Sequence, residues 1–242
     1  VVSAAREAIL ADIRRSLKRG PLGPEKAAEL DARIAAHRRN LTPARATTLD
    51  HARQIDLFVT MAQEVQATVA RLSSAADVPE AVARYLAAEN LPAELVMAPD
   101  PSFDEIPWAK TPLLDIRRGR AEAADAVSLT PCFAAIAETG TLMLVSGANT
   151  PTTLNFLPDT HIALVHADQV VASYEDGWDR LRAADSGSEG GSALPRTVNF
   201  VTGPSRTGDI EQRIVLGAHG PRRLHILVVE NLRGAKDGEA SG

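Results

Sequence analysis

Over the first ninety positions, apolar residues recur at helical spacing. Ile9, Ile13 and Leu17 stand four apart with Leu10 beside them, and Gly20-Pro21 closes that run. Leu30 and Ile34 mark a second, short amphipathic helix. Thr42-Pro43 then reads as an N-cap with proline at the first helical position. The helix it opens carries Phe58, Met61, Ala62, Val65, Val69 and Leu72 on one stripe. Asp77 with Glu80 three residues on has the form of a capping box, predicting a helix through about Glu89. These stripes are expected to pack a core.

From Leu91 the period shortens. Glu94–Met97, Leu113–Ile116 and Ala126–Leu129 are candidate strands, separated by turns around Pro99, Pro101, Pro107 and Pro112. Thr141–Val145, His161–Val165 and Leu224–Val229 are largely apolar, and Thr197–Val201 alternates less cleanly. Continuous apolar strands are what a sheet covered on both faces requires. Helical patterns at Tyr174–Arg182 and Asp209–Leu216 fall between strands, so the chain reads as α/β. Ala184–Leu194, rich in glycine and serine, is expected to be a flexible loop, and the tail after Gly234 to be frayed. No internal repeat is visible.

Composition narrows the function. The 242 residues are 45% hydrophobic but only 4% aromatic, so small aliphatic side chains must fill the core. One cysteine, Cys132, rules out an intrachain disulfide, a four-cysteine iron–sulfur cluster held by this chain alone, and a zinc site of several thiolates. Its apolar setting, Pro131-Cys132-Phe133-Ala134-Ala135-Ile136, predicts a buried, inert thiol. The net charge of −5 is uneven: residues 1–60 hold 11 Lys and Arg against 7 Asp and Glu. Those positive charges are interleaved with Glu7, Asp12, Glu25, Glu29 and Asp31, which argues against nucleic acid as a partner. No apolar run approaches the roughly 20 residues of a membrane span. The charged start does not resemble a signal peptide, so a cytoplasmic location is expected.

Two segments carry the clearest chemistry. Thr202-Gly203-Pro204-Ser205-Arg206-Thr207-Gly208-Asp209 follows a strand and is expected to open a helix. Gly203 would allow a sharp turn, Ser205 or Thr207 would cap the helix, and its free N–H groups with Arg206 would favour an anion. In an open α/β sheet such a turn is expected at the carboxyl ends of the strands. The plainer reading makes Ser205 or Thr207 a cap only and pairs Arg206 with Asp209 or Glu211. The second segment is Ala137-Glu138-Thr139-Gly140-Thr141, where a Glu borders an apolar strand. Glu138 could be a carboxylate nucleophile or general base, or it could accept hydrogen bonds from loop amides and hold the turn. Ser146–Pro151 is expected to be a plain connection that starts a short helix at Pro151, capped by Thr150.

Of the histidines, His219 before Gly220-Pro221 is the best candidate for chemistry, whereas His161 and His225 read as satisfied strand residues. No spaced pair of histidines or of Glu and His suggests a metal site.

Taken together, Ala137–Thr141, the Leu157-Pro158-Asp159-Thr160-His161-Ile162 turn, Gly203–Glu211 and Gly217-Ala218-His219-Gly220-Pro221 resemble the lactate-utilisation (LUD) domain family, as does the opening Ala5–Leu10. Gly208 departs from that pattern, where alanine is expected. The resemblance implies a three-layer α/β/α fold related to ribose-5-phosphate isomerase, glucosamine-6-phosphate deaminase and class I CoA transferases. It places residues 42–234 in that domain, after a helical extension over 1–41 and before a tail over 235–242. It also implies a part in oxidising L-lactate to pyruvate beside partner proteins that hold iron–sulfur clusters, with no cofactor bound by this chain alone. On this reading Thr139, Gly140, Thr141, Gly203, Ser205, Arg206, Thr207 and Asp209 form a site for a carboxylate or phosphate-bearing ligand. Glu138 and His219 take acid–base or orienting roles. Two alternatives stand beside it: an autonomous enzyme of the CoA-transferase or sugar-phosphate type using Glu138, and a non-enzymatic assembly partner docking through its N-terminal helices.

Overall fold

The computed structural model describes residues 4–18, 20–185, 194–210, 213–217 and 219–230. The chain divides into two units, residues 1–41 and 42–242. In the first, α1 (Ala4–Ser16) and α2 (Pro24–Ala35) contain no buried residue. The stripe of Ile9, Ile13, Leu17 and Ile34, expected to be core, is therefore exposed.

The second unit opens with a single turn, α3 (Ala44–Thr47), followed by α4 (His51–Glu64). The cap of α4 is Asp50, which accepts from Arg53 N at 2.9 Å; the expected Thr42-Pro43 start belongs instead to α3, with Pro43 at its N-cap. Phe58 and Ala62 on the predicted stripe are fully buried. The stripe does not run on as a helix, however. Val65 is the C-cap and Gln66 has φ +71°, a left-handed residue that reverses the chain. Val69 and Leu72 then fall in β1 (Thr68–Leu72), which pairs in parallel with β12 (Arg223–Val229). Positions spaced for a helix thus become strand because a partner 157 residues away pairs with them.

A capping box also forms one turn earlier than expected. Ser74 Oγ accepts from Ala76 N, and Ser74 N donates to Asp77 Oδ2 at 3.0 Å, ahead of α5 (Val78–Ala88). Next come β2 (Glu94–Met97), β3 (Asp115–Arg118), β4 (Val127–Pro131), β5 (Ala134–Ile136) and β6 (Thr141–Val145). The short helix α6 (Thr153–Phe156) starts two residues later than predicted, with Thr152 at its N-cap. After it lie β7 (Thr160–His166), β8 (Val170–Val171), α7 (Tyr174–Asp185) and β9 (Val198–Val201). The glycine- and serine-rich run begins inside α7; its residues 186–193, and the tail after Gly234, lie outside the described residues.

The described residues of Asp209–Leu216 are strand and not helix. They belong to β10 (Arg206–Ile210) and β11 (Arg213–Leu216), an antiparallel pair whose register shifts between Thr207 and Ile210. The β-branched Thr207, Ile210, Ile214 and Val215 suit a ladder, and Gly208 in what would be the first turn disfavours a helix.

Six parallel strands form the central sheet in the order β1-β12-β7-β4-β2-β3. Alternation along β7 sorts its side chains between two clusters. Ile162 and Leu164 pack with α5 residues Val82 and Leu86, while Ala163 and Val165 pack with Phe58 and Ala62 of α4. The four-stranded sheet β8-β5-β6-β9 joins the α4 side through Leu142 and Leu144, and Trp178 and Leu181 of α7 pack with Met143 beyond it. Helices therefore flank the parallel sheet, as a three-layer α/β/α architecture requires.

Two glycines hold these layers in register. Gly140 has φ +65°, and a Cβ there would lie 2.2 Å from Ala62 N. Gly203 has φ +73°, and a Cβ there would lie 2.2 Å from Val65 O. Both loops thus touch the backbone at the end of α4. Gly140→Ala should cost about 2–4 kcal/mol, from left-handed strain plus overpacking. Gly20→Ala, with nothing within 4 Å, should stay within about 0.5 kcal/mol. Urea unfolding of the two variants checks this.

Burial pushes the imidazoles of His161 and His225 down to about 4. Both are then neutral in the fold but titrate near 6.5 when unfolded, so their stabilisation is complete above that pH and is lost as pH falls toward 4. Unfolding free energy should drop by about 1.4 kcal/mol per pH unit for each imidazole below pH ~6.5. His225→Phe, which keeps an aromatic ring against Tyr85, should halve that slope in urea titrations. A slope unchanged by the replacement would show that the imidazole protonates equally in both states.

Candidate functional site

The turn Thr202–Arg206 and the turn at His219–Pro221 are tied to each other by main-chain bonds. Ser205 N donates to Pro221 O at 2.8 Å, and Gly217 N donates to Ser205 O at 2.9 Å. Between them lies a cleft of about 260 Å³, lined by Gly203, Ser205, Arg206 and His219, with Thr202, Pro204, Gly220 and Pro221 completing the two turns. Its apolar walls are Phe156, Phe200, Val201 and Leu224. This volume falls below the roughly 300–1,000 Å³ of sites for drug-sized ligands, so it suits a ligand of few heavy atoms.

Arg206 is exposed and donates through Nη2 to Val65 O at 2.8 Å, against the C-terminal end of α4. That bond anchors the guanidinium on a helix-end carbonyl, where a cation is favoured, at the rim of the cleft. Ser205 and Thr207 cap no helix, because β10 begins at Arg206. The helix dipole expected to favour an anion is thus absent, and positive charge at the rim comes from Arg206. Asp209 lies in β10, and its side chain is outside the described residues.

The cleft is not at the carboxyl ends of the parallel strands. The turn follows β9 of the smaller sheet, and the cleft takes in His161 and Leu224, each the second residue of its strand, β7 and β12. It therefore opens at the amino ends of those parallel strands. The cause is topological: the preceding strand runs antiparallel to β6 in a separate sheet.

The Glu138 segment sits elsewhere in the layer. Thr139 and Thr141 turn their hydroxyls on each other at 2.7 Å and on Tyr174 at 3.1 and 3.0 Å. Thr141 also bonds Thr202 at 2.7 Å, and Thr202 lines the cleft. Gly140 packs on α4. These three residues support the cleft wall from behind and do not line it. Glu138 does not line the cleft either. It is 6% exposed, its Oε2 is buried without a hydrogen-bond partner, and its carbonyl accepts from Arg45 of α3. The main chain holds this turn, through Glu138 N on Ala172 O at 3.2 Å.

The two strand histidines, alike in sequence, differ in surroundings. His225 stacks on Tyr85 with ring centroids 3.9 Å apart, and its Nδ1 bonds Thr68 Oγ1 at 2.8 Å. His161 is fully buried; Nε2 bonds Thr130 Oγ1 at 2.7 Å, and Nδ1 has no partner. An unsatisfied buried polar atom costs of the order of 1–3 kcal/mol. The alternation of β7 gives no hint of this, because Thr130 reaches His161 only across the pairing of β4 with β7. Arg45 was equally hidden, being 93 residues from its acceptor.

Cys132 is buried, and burial pushes its thiol up to about 12. Its Sγ–H donates to Ala134 O at 3.0 Å, so the thiol is inert. Among the described residues no helix is long and apolar enough to cross a membrane.

Relatives share this framework. A protein from Deinococcus radiodurans named lactate utilization protein C is 38% identical over 64% of this chain and 70% of its own length. A protein of the same name from a Geobacillus strain is 35% identical over 43% of this chain, and the match spans 42% of that relative. The crystal structure of a DUF162 family protein from Deinococcus radiodurans superposes with a TM-score of 0.54 at 28% identity, over 75% of this chain and 99% of that one. The model of the LUD domain matches residues 55–229, from α4 through the last strand of the parallel sheet. With the fold and these matches in agreement, the chain belongs to the LUD domain family.

Proposed function

We propose that this chain works in lactate utilisation, as a component of a system that oxidises L-lactate to pyruvate, and that its cleft holds the carboxylate of a small acid. The observation that carries the role is the likeness to lactate utilization protein C over 70% of the Deinococcus relative. The ligand class is supported by the convergence of Ser205, Arg206 and His219 on one small cleft. A guanidinium and a hydroxyl are the donor set a carboxylate takes. Apolar walls from Phe156 and Phe200 suit a short aliphatic body.

Oxidising a hydroxy acid to an oxo acid releases two electrons, which need a carrier. With one cysteine, buried and inert, this chain supplies no thiolate set for a cluster. The carriers on this reading are iron–sulfur clusters in partner proteins. Glu138 supports a second reading, an enzyme acting alone, because its carboxylate oxygen is buried and free of hydrogen bonds. Its position away from the cleft favours the first.

Affinity capture of the full chain from its native host, followed by visible absorbance, separates the readings. Iron–sulfur proteins should co-purify, and the isolated chain should turn over no lactate. Turnover by the isolated chain that Glu138→Gln abolishes would favour the second reading. For the ligand, calorimetric titration with pyruvate should show binding that Arg206→Ala weakens about tenfold, the worth of one charge-assisted bond. Unchanged affinity would remove the carboxylate from Arg206.

A further inference from the structure

His161 closes the inner end of the cleft, and the bonding of its ring is incomplete. On β7 it shares the parity of Ala163 and Val165, so its side chain points into the layer beneath α4 and β9, where the cleft lies. Thr130 occupies Nε2 at 2.7 Å. Among the described residues that line the cleft, His161 is the one with a buried polar side-chain atom lacking a partner, its Nδ1. His225, the matching histidine on the next strand, has its Nδ1 satisfied by Thr68, so an open ring nitrogen is not a general feature of this sheet.

We propose that His161 determines the specificity of the cleft: its Nδ1 bonds the oxygen at C2 of a 2-hydroxy or 2-oxo acid whose carboxylate lies against Ser205 and Arg206. The inference rests on the carboxylate reading above and adds a second point of recognition to it. A neutral imidazole has one N–H, and the Thr130 hydroxyl can donate or accept. With Thr130 accepting from Nε2–H, Nδ1 is an acceptor for a hydroxyl. With Thr130 donating, Nδ1–H becomes a donor to a keto oxygen. One buried pair thereby serves the reduced and the oxidised acid without a change of charge. Burial holds the ring neutral, as this exchange requires. Nδ1 is covered in the present conformation, so binding requires the cleft lining to part around it.

Calorimetric titration of the full chain with L-lactate, pyruvate and propionate tests this, since propionate keeps the carboxylate and lacks the C2 oxygen. Lactate and pyruvate should bind about tenfold more tightly than propionate, the worth of one hydrogen bond to an otherwise unsatisfied group. His161→Phe should bring both down to the propionate level. NMR of the imidazole nitrogens in the unsubstituted protein gives a readout independent of that variant's folding: lactate should move the Nδ1 resonance of His161, and propionate should not. Equal binding of all three acids, with the resonance unmoved and the binding lost in Arg206→Ala, would overturn the role of His161 and leave the carboxylate reading standing. Failure of all three acids to bind would overturn both.

Discussion

Gly140 and Gly203 approach the backbone of α4 so closely that no side chain fits at either, and the arrangement of the site depends on that contact. Each glycine is left-handed, and each Cβ would fall 2.2 Å from a main-chain atom of Ala62 or Val65. Left-handed backbone is readily open to glycine alone, so steric exclusion selects the residue at both turns. The turn before β6 and the turn after β9 thus reach the same helix end from adjacent strands. Arg206 completes the junction by donating to the carbonyl of Val65 that excludes a side chain at Gly203.

That junction explains why the cleft forms where it does. The small sheet presses on the α4 side of the parallel sheet, and its β9 turn overhangs the amino ends of β7 and β12. The usual ligand position in an open α/β sheet, at the carboxyl ends of its strands, is therefore not where these motifs meet. Polar groups arrive at the cleft from three directions: Ser205 and Arg206 from above, His219 from the facing turn, and His161 from the sheet beneath. The hydroxyl chain from Thr139 through Thr141 to Thr202 ties the Glu138 turn to the cleft wall without adding to its surface.

Much of this was legible in the chain. Apolar runs at 141–145, 161–165 and 224–229 became buried strands, because side chains covered on both faces leave no polar alternation. The structure departs from the local pattern where helical spacing and strand pairing compete. Val69 and Leu72 continue a helical stripe yet pair with β12, and Asp209–Leu216 carries helical spacing yet contributes to the antiparallel strands β10 and β11. In both places β-branched residues could follow either period; a partner 157 residues away decided the first, and antiparallel pairing between neighbouring segments decided the second.

The site divides in the same way. By itself the sequence determined which residues carry donors, where glycine permits a turn, that one cysteine cannot hold a cluster, and that the motifs are those of the LUD family. Whether those residues meet was decided only by the tertiary structure. It brought Ser205, Arg206 and His219 to one cleft, kept Glu138 and Thr139 outside it, and turned the helix after Ser205 into a strand. It also distinguished two histidines that the sequence presents alike, leaving His161 with a nitrogen unpaired while Thr68 satisfied His225. A residue's chemistry is covalent and local, whereas the pairing of a buried polar atom depends on neighbours that only packing brings within hydrogen-bonding distance.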